Sequence, residues 1–221
     1  MRLMIALAFA LTASVPQAQD NTPPEGFTAL FNGKDLTNWQ GLVEYPKRDK
    51  DPEKYAAQVK AANEKYLPHW KVEEGALHYT GKGQSLQTVK DYADFELFVD
   101  WKIKAGGDSG IYLRGQPQVQ IWDPAKTAQN AVGSGGLFNN QKNPSKPSKC
   151  ADKPIGQWNT FRIVMKGEKV NLWLNGELVV DNVTLENYWD RKSPVPATGP
   201  IELQHHGDEL WFKNIYVKEL K

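Results

Sequence analysis

The sequence predicts an all-β sandwich or jelly roll with one helical insertion. Three observations carry that prediction. The dominant hydrophobic period from Phe27 onward is two, the strands are short and separated by Gly, Pro and Asn turns, and only one stretch follows a helical period. Asp94 to Ile103 reads DFELFVDWKI, with Phe95, Leu97, Val99, Trp101 and Ile103 on one face. Gly110 to Arg114 and Gln118 to Asp123 are two further strands, with Pro117 between them where a turn or strand start tolerates it. Phe161 to Met165, Val170 to Leu174, Glu177 to Val180, Ile201 to His205 and Leu210 to Leu220 complete the run. Asn175-Gly176 between VNLWL and ELVV signals a type I′ hairpin, which needs positive φ at both positions. The helical stretch is Asp51 to Tyr66. Asp51 can cap it, Pro52 suits its first turn, and Ala56, Val59, Ala62 and Tyr66 form one stripe. Gly133 to Lys153 reads as a long loop, a length that is often functional.

Composition bounds the function. The 221 residues hold 27 basic and 26 acidic side chains, a formal charge of +1. That balance argues against a nucleic-acid partner or a polybasic membrane binder. No segment of the mature chain reaches the length of a membrane span. A single cysteine, Cys150, excludes a disulfide framework and multi-Cys zinc sites and reads as a tolerated free thiol. Residues 1–19 have the layout of a secretory signal peptide: Arg2, an apolar run from Leu3 to Leu11, then small and turn-forming residues. Residues 20–221 then form one domain, expected to be periplasmic or secreted. No dinucleotide or phosphate-binding glycine motif, HExxH or GxSxG occurs, and a paired-carboxylate glycosidase signature is missing.

Strand parity separates a core face from an open face. It sends Gln118, Gln120 and Trp122 to the open side, with Glu202, Gln204 and His206, and with Asp108, Tyr112 and Arg114. Glu96, Phe98, Asp100 and Lys102 follow the same rule on their own strand, and His205 points inward. Asp123 sits at a strand end before Pro124 with its direction open. Amides and carboxylates beside aromatics suit a polyhydroxyl ligand, because amides bond hydroxyls and Trp packs on the C–H face of a sugar. Each residue also has a plain reading: Asp108 as a turn residue, Arg114 as a structural ion pair, His205 as a satisfied core histidine. Among the eight Trp, Trp122 is the expected sugar-stacking ring. Trp39, Trp70, Trp101 and Trp158 look like core or edge packing, and Trp173, Trp189 and Trp211 are unplaced.

Several stretches resemble the 3-keto-disaccharide hydrolase family, also described as 3-keto-glucoside lyase or hydratase domains. They include GFTALFNGKDLTNW (26–39), HWKVEEGAL (69–77), YADFELFVDWKI (92–103), GDSGIYLRGQPQVQIWD (107–123), GQWNTFRI (156–163), LNGELV (174–179) and IELQHHGDELWFKNIYVKEL (201–220). The resemblance implies a concanavalin A-like jelly roll with its site on the concave face, and an exported bacterial protein acting on 3-keto-glycosides. Family members commonly carry Asn where this chain has Asp108, and many carry Glu where it has Gln118.

The chemistry so implied is β-elimination followed by hydration. A C3 ketone acidifies the C2 proton, so the site needs a base, a positive or donor group for the enolate oxygen, and an acid for the leaving oxygen. Asp108 or Glu202 is the candidate base, Arg114 the enolate stabiliser and His206 the acid or shuttle. A divalent metal on His206 and carboxylates is an alternative to Arg114, although no ligand spacing establishes it. Asp100, Tyr112, Gln118, Gln120, Trp122, Asp123 and Gln204 are the expected substrate contacts. The rival functional class is a non-catalytic carbohydrate-binding module, and a conventional glycosidase ranks third.

Overall fold

Alternation becomes burial most plainly in the central strand. In a computed structural model that describes residues 20–221, Phe95, Leu97, Val99, Trp101 and Ile103 are all buried, while the residues between them are half-exposed. Residues 1–19, expected to be a signal peptide, lie outside the described residues. Strands β1 (Thr28–Ala29), β2 (Trp39–Gly41), β3 (Trp70–Glu73), β4 (Ala76–Tyr79), β5 (Leu86–Thr88), β6 (Phe95–Ile103) and β7 (Asp108–Leu113) precede β8 (Gln116–Trp122). β9 (Asn159–Lys166), β10 (Lys169–Leu174), β11 (Glu177–Thr184), β12 (Glu202–Leu203) and β13 (Leu210–Glu219) follow. An eight-stranded sheet runs β11-β10-β9-β6-β13-β4-β3 with β1 also on β13, and a five-stranded sheet runs β2-β5-β12-β7-β8. Every pairing is antiparallel. The sheets face each other across one core, where Leu97, Phe161 and Ile163 of the larger sheet join Ile111, Val119, Ile121 and Leu203 of the smaller. This is the jelly-roll sandwich that the period-two pattern predicts.

The helix forms where expected, α1 (Pro52–Tyr66), with the Asp51 carboxylate accepting from the Glu53 and Lys54 amides. Its buried stripe holds Val59, Ala62 and Tyr66 as expected and differs at one position. Ala56 is exposed, and Tyr55, Val59 and Ala62 face the sandwich. α1 lies so close to β2 that a Cβ at Gly41 would sit 2.5 Å from the Ala62 carbonyl oxygen, and the Gly41 amide donates to Asn63 Oδ1. That close approach is what requires glycine there.

Two turns set the register around the site. Asn175 and Gly176 adopt φ of 53° and 86°, the I′ hairpin that the sequence signals between β10 and β11. Arg114 and Gly115 adopt φ of 53° and 69°, so the β7–β8 turn falls at Arg114-Gly115, ahead of Pro117 and taking in the residue expected to end the first strand. Pro117 then lies inside β8, a strand listing to the edge of the five-stranded sheet, where proline is tolerated. The long loop returns along that edge. Gly135 N donates to Gln120 O, Gln120 N to Gly136 O, and Phe138 N to Gln118 O, so the loop covers part of it.

Candidate active site

The open face of the five-stranded sheet carries a row of polar side chains. Register places Gln40 beside Gln87, Gln87 beside Glu202, and Glu202 beside Tyr112. Four strands at about 4.8 Å spacing make this row roughly 14 Å long. One step along the strands, Gln204, Gly110 and Gln120 form a second row. Asp108 lies opposite Trp122 in a third. Glu202, Gln204, Tyr112, Gln118, Gln120 and Asp108, all chosen by parity, therefore share one face.

Glu202 is the chemically distinctive member. Burial raises its pKa, Glu44 adds to the shift, and a hydrogen bond from Ser85 and the charge of Arg48 oppose it; the result is a pKa of about 8. Tyr112 is also raised well above the ordinary phenol value, first by burial and then by the Glu202 charge. Gln204 Nε2 donates to the Tyr112 hydroxyl at 3.3 Å, while Gln204 Oε1 is buried without a hydrogen-bond partner. An unpaired buried carbonyl costs about 1–3 kcal/mol and marks a place for a ligand hydroxyl. Gly110 makes room for it: a Cβ there would meet Gln204 Oε1 at 3.1 Å and Gln118 Cβ at 3.2 Å. Beside it, Gln118 Nε2 donates to Gln120 Oε1 at 2.6 Å, and Gln120 Nε2 donates to Asp108 Oδ1 at 2.7 Å. The Asp108 carboxylate can only accept, so it fixes the orientation of both amides.

The positive charge on this face comes from Arg48, in the connector before α1. Its Nη1 bonds both Asp91 carboxylate oxygens at 2.9 Å, and its Nη2 donates to Gln87 Oε1 at 3.3 Å. The guanidinium lies over the Tyr45 and Tyr55 rings, and its Nε is buried without a partner. Tyr55 OH accepts from the side-chain amides of Gln40 and Gln87. Sequence reading passed over Gln40, Gln87, Arg48 and Tyr55. The parity signal exists for the glutamines, since Trp39 and Leu86 are core residues beside them. For Arg48, in a connector without period, there is no such signal.

Five expected site residues take other places. Arg114 is 2% exposed, and its guanidinium donates to Ala93 O, Pro196 O and Asp94 Oδ1. Because Arg114 occupies the I′ turn, strand parity no longer applies to it. Asp100 lies on β6 of the other sheet and accepts from Thr160 and Asn214. Asp123 is buried as a turn residue, accepting from the Gly106 and Ala125 amides. Trp122 follows parity, but it is 6% exposed, donates Nε1 to Gly133 O and packs edge-on to Phe138, and with Gln120 it lines only a small cavity of ≈ 100 Å³ under the long loop. His206 sits in an exposed turn beyond β12. His205 is half-buried and bonded through Nδ1 to Ser85 Oγ; burial, then the neighbouring His206, lowers its pKa. Among the described residues, no three His, Cys, Asp or Glu gather as metal ligands. The donor set for a divalent ion through His206 is not assembled.

The larger cavities lie away from these rows. One of ≈ 540 Å³ borders Phe98 and Asp100 on the eight-stranded sheet, and one of ≈ 450 Å³ lies between β1 and Lys90. A carboxyl displaced to neutrality distinguishes the polar rows from both.

A jelly-roll sandwich with an acid-and-amide face defines a sugar-handling class of protein. The chain belongs to the 3-keto-alpha-glucoside-1,2-lyase-like domain family, which it matches over residues 26–218. It is 24% identical to a 3-keto-disaccharide hydrolase of Bacteroides thetaiotaomicron, over 89% of this chain and 79% of that protein. Two crystal structures from Parabacteroides distasonis, each called a "putative glycosyl hydrolase", share its fold at 24% identity. One has a TM-score of 0.65 over 96% of this chain and 94% of its own, the other 0.62 over 92% and 100%. The family is one of carbohydrate-active enzymes.

Proposed function

We propose that the chain is an exported enzyme that cleaves 3-keto-glycosides by β-elimination and hydration. The observation that carries this reading is Glu202, a carboxyl with a pKa of about 8 set beside Tyr112 among amides. When ionised, Glu202 removes the C2 proton and the pair from that bond gives an enolate on the C3 oxygen; as the carbonyl re-forms, the C1=C2 double bond forms and the C1–O bond breaks. Tyr112 O–H protonates the departing oxygen. Glu202 then passes its new proton across to Tyr112, and both groups are reset. Arg48 donates to Gln87 Oε1 and so makes the Gln87 amide nitrogen a polarised donor for the enolate oxygen. Water next adds its hydroxyl to C1 and a proton to C2, and the net reaction is hydrolysis. Asp108 and its amides bind sugar hydroxyls in this scheme.

Release of aglycone from a 3-keto-glucoside, with none from the unoxidised glucoside, is the expected result with purified protein. A keto substrate left intact would sink the enzymatic reading. Tight glycan binding without turnover would favour a binding module instead, a role consistent with amide Gln118 where many family members carry Glu.

A further inference from the structure

An aromatic pair stands at the end of the polar row, over the β7–β8 turn. Tyr188 and Trp189 are 41% and 38% exposed, among the most exposed large apolar side chains described. Their rings meet edge to face, with centroids 4.9 Å apart at 87°. They are held in place. Trp189 Nε1 donates to Gly115 O, Tyr188 N donates to Gln116 Oε1, and Asn187 Oδ1 accepts from the Trp189 amide. Arg191 lies over the Tyr188 ring at 5.0 Å and bonds Glu186 at 3.1 Å. Neighbouring aromatics held on the surface in this way mark a binding patch more often than packing.

Two further facts connect the pair to the site. Gln116 is fully buried beneath Tyr188, and its Nε2 is a buried donor without a partner. Trp189 bonds Gly115 and Tyr188 bonds Gln116, the partner of Leu113 next to Tyr112, so the platform borders the row that holds Glu202. We infer that the exposed Trp189 ring, braced by Tyr188 and by the buried Gln116 beneath it, forms the subsite for the leaving group, a pyranose ring stacked on Trp189. The inference rests on the 3-keto-glycosidase reading for which side of the substrate lies there. A pyranose fits because it offers an apolar C–H face to the exposed indole.

The test compares two probes, a 3-keto-disaccharide and methyl 3-keto-glucoside. Calorimetry measures their binding to a Glu202→Gln background, so that neither is consumed. Trp189→Ala should weaken disaccharide binding by tenfold or more and methyl-glucoside binding by less than twofold, and Trp189→Phe should restore most of the loss. Equal effects on the two probes, or no effect, overturn the subsite. A change of mass in sedimentation on Trp189→Ala also overturns it, because the pair would then be an interface between copies. Turnover by the unmodified protein is assayed separately. Selective binding with no turnover removes the enzymatic reading and keeps a sugar site here, whereas turnover with unselective binding does the reverse. If neither probe binds, both fall.

Discussion

Glu202 couples catalysis and stability to pH with opposite signs. As a base it must lose its proton, so with a pKa of about 8 only roughly 10% is active at pH 7. On the proposed mechanism, kcat/KM rises about tenfold per pH unit below 8 and levels off above it. A profile already flat from pH 5 would dismiss Glu202 as the base. Stability runs the other way. The folded state holds this proton more tightly than the unfolded chain, whose carboxyl has the ordinary value near 4.5. The associated stability is full below that value and is lost as pH climbs through about 8. Glu202→Gln should therefore abolish turnover and flatten the fall of Tm between pH 5 and 8, as thermal melts across that range would show. The two arginines make a second contrast. Arg48→Gln should lower kcat about a hundredfold with Tm little changed, because its Asp91 partner is partly exposed. Arg114→Gln removes charge-assisted hydrogen bonds from a buried site and should cost about 3 kcal/mol of stability, with kcat retained. Kinetics and denaturation of the pair decide which arginine serves the site.

The elements explain what was legible in the sequence. β6, β9 and β10 alternate over six or more residues, so period two places every side chain, whereas β13 loses the alternation at a bulge around Asn214. Face assignment failed at turns and across sheets. Arg114-Gly115 lacks the Asn-Gly signature that made Asn175-Gly176 readable, and parity within β6 says nothing about which sheet it joins, which misplaced Asp100. β2 and β5 are three residues each, so the parity signal for Gln40 and Gln87 rests on a single core neighbour, Trp39 or Leu86, and is easily passed over. The helical insertion was readable as an element and not as part of a site, because its role depends on tertiary packing against β2. That packing yields a prediction. Gly41→Ala would drive a Cβ into the Ala62 carbonyl and displace α1, and with it Tyr55, from Gln40 and Gln87. A loss of about 1–3 kcal/mol is expected from such overpacking. KM should rise as well, and a variant with lowered Tm but wild-type KM would separate α1 from substrate binding.

On the scale of the whole molecule, the two sheets put their aromatics to different uses, and the eight Trp divide accordingly. Trp39, Trp70 and Trp101 are buried in the core, and Trp122 backs the site. On the eight-stranded sheet, cations cover the remaining rings: Lys102 lies over Trp158 and Trp211, Lys213 over Trp158, and Arg162 over Trp173. His78 stacks on Trp211 at 4.7 Å. Trp211 also has Lys104 at 5.8 Å, so this ring is held among cations and an imidazole. Each cation–π contact contributes about 0.5–1 kcal/mol at an exposed site. Trp211 has three cationic or imidazole neighbours, so Trp211→Ala should lose about 2 kcal/mol, a fall in Tm of roughly 4–8 °C for a chain of this size. Its affinity for a 3-keto-disaccharide should not change. Trp189, whose ring is the exposed one, should respond the other way, with a small change in Tm and a large change in affinity. Should Trp211→Ala weaken sugar binding while leaving Tm intact, the division of labour between the sheets would be reversed, and the ligand face would have to be sought on the eight-stranded side.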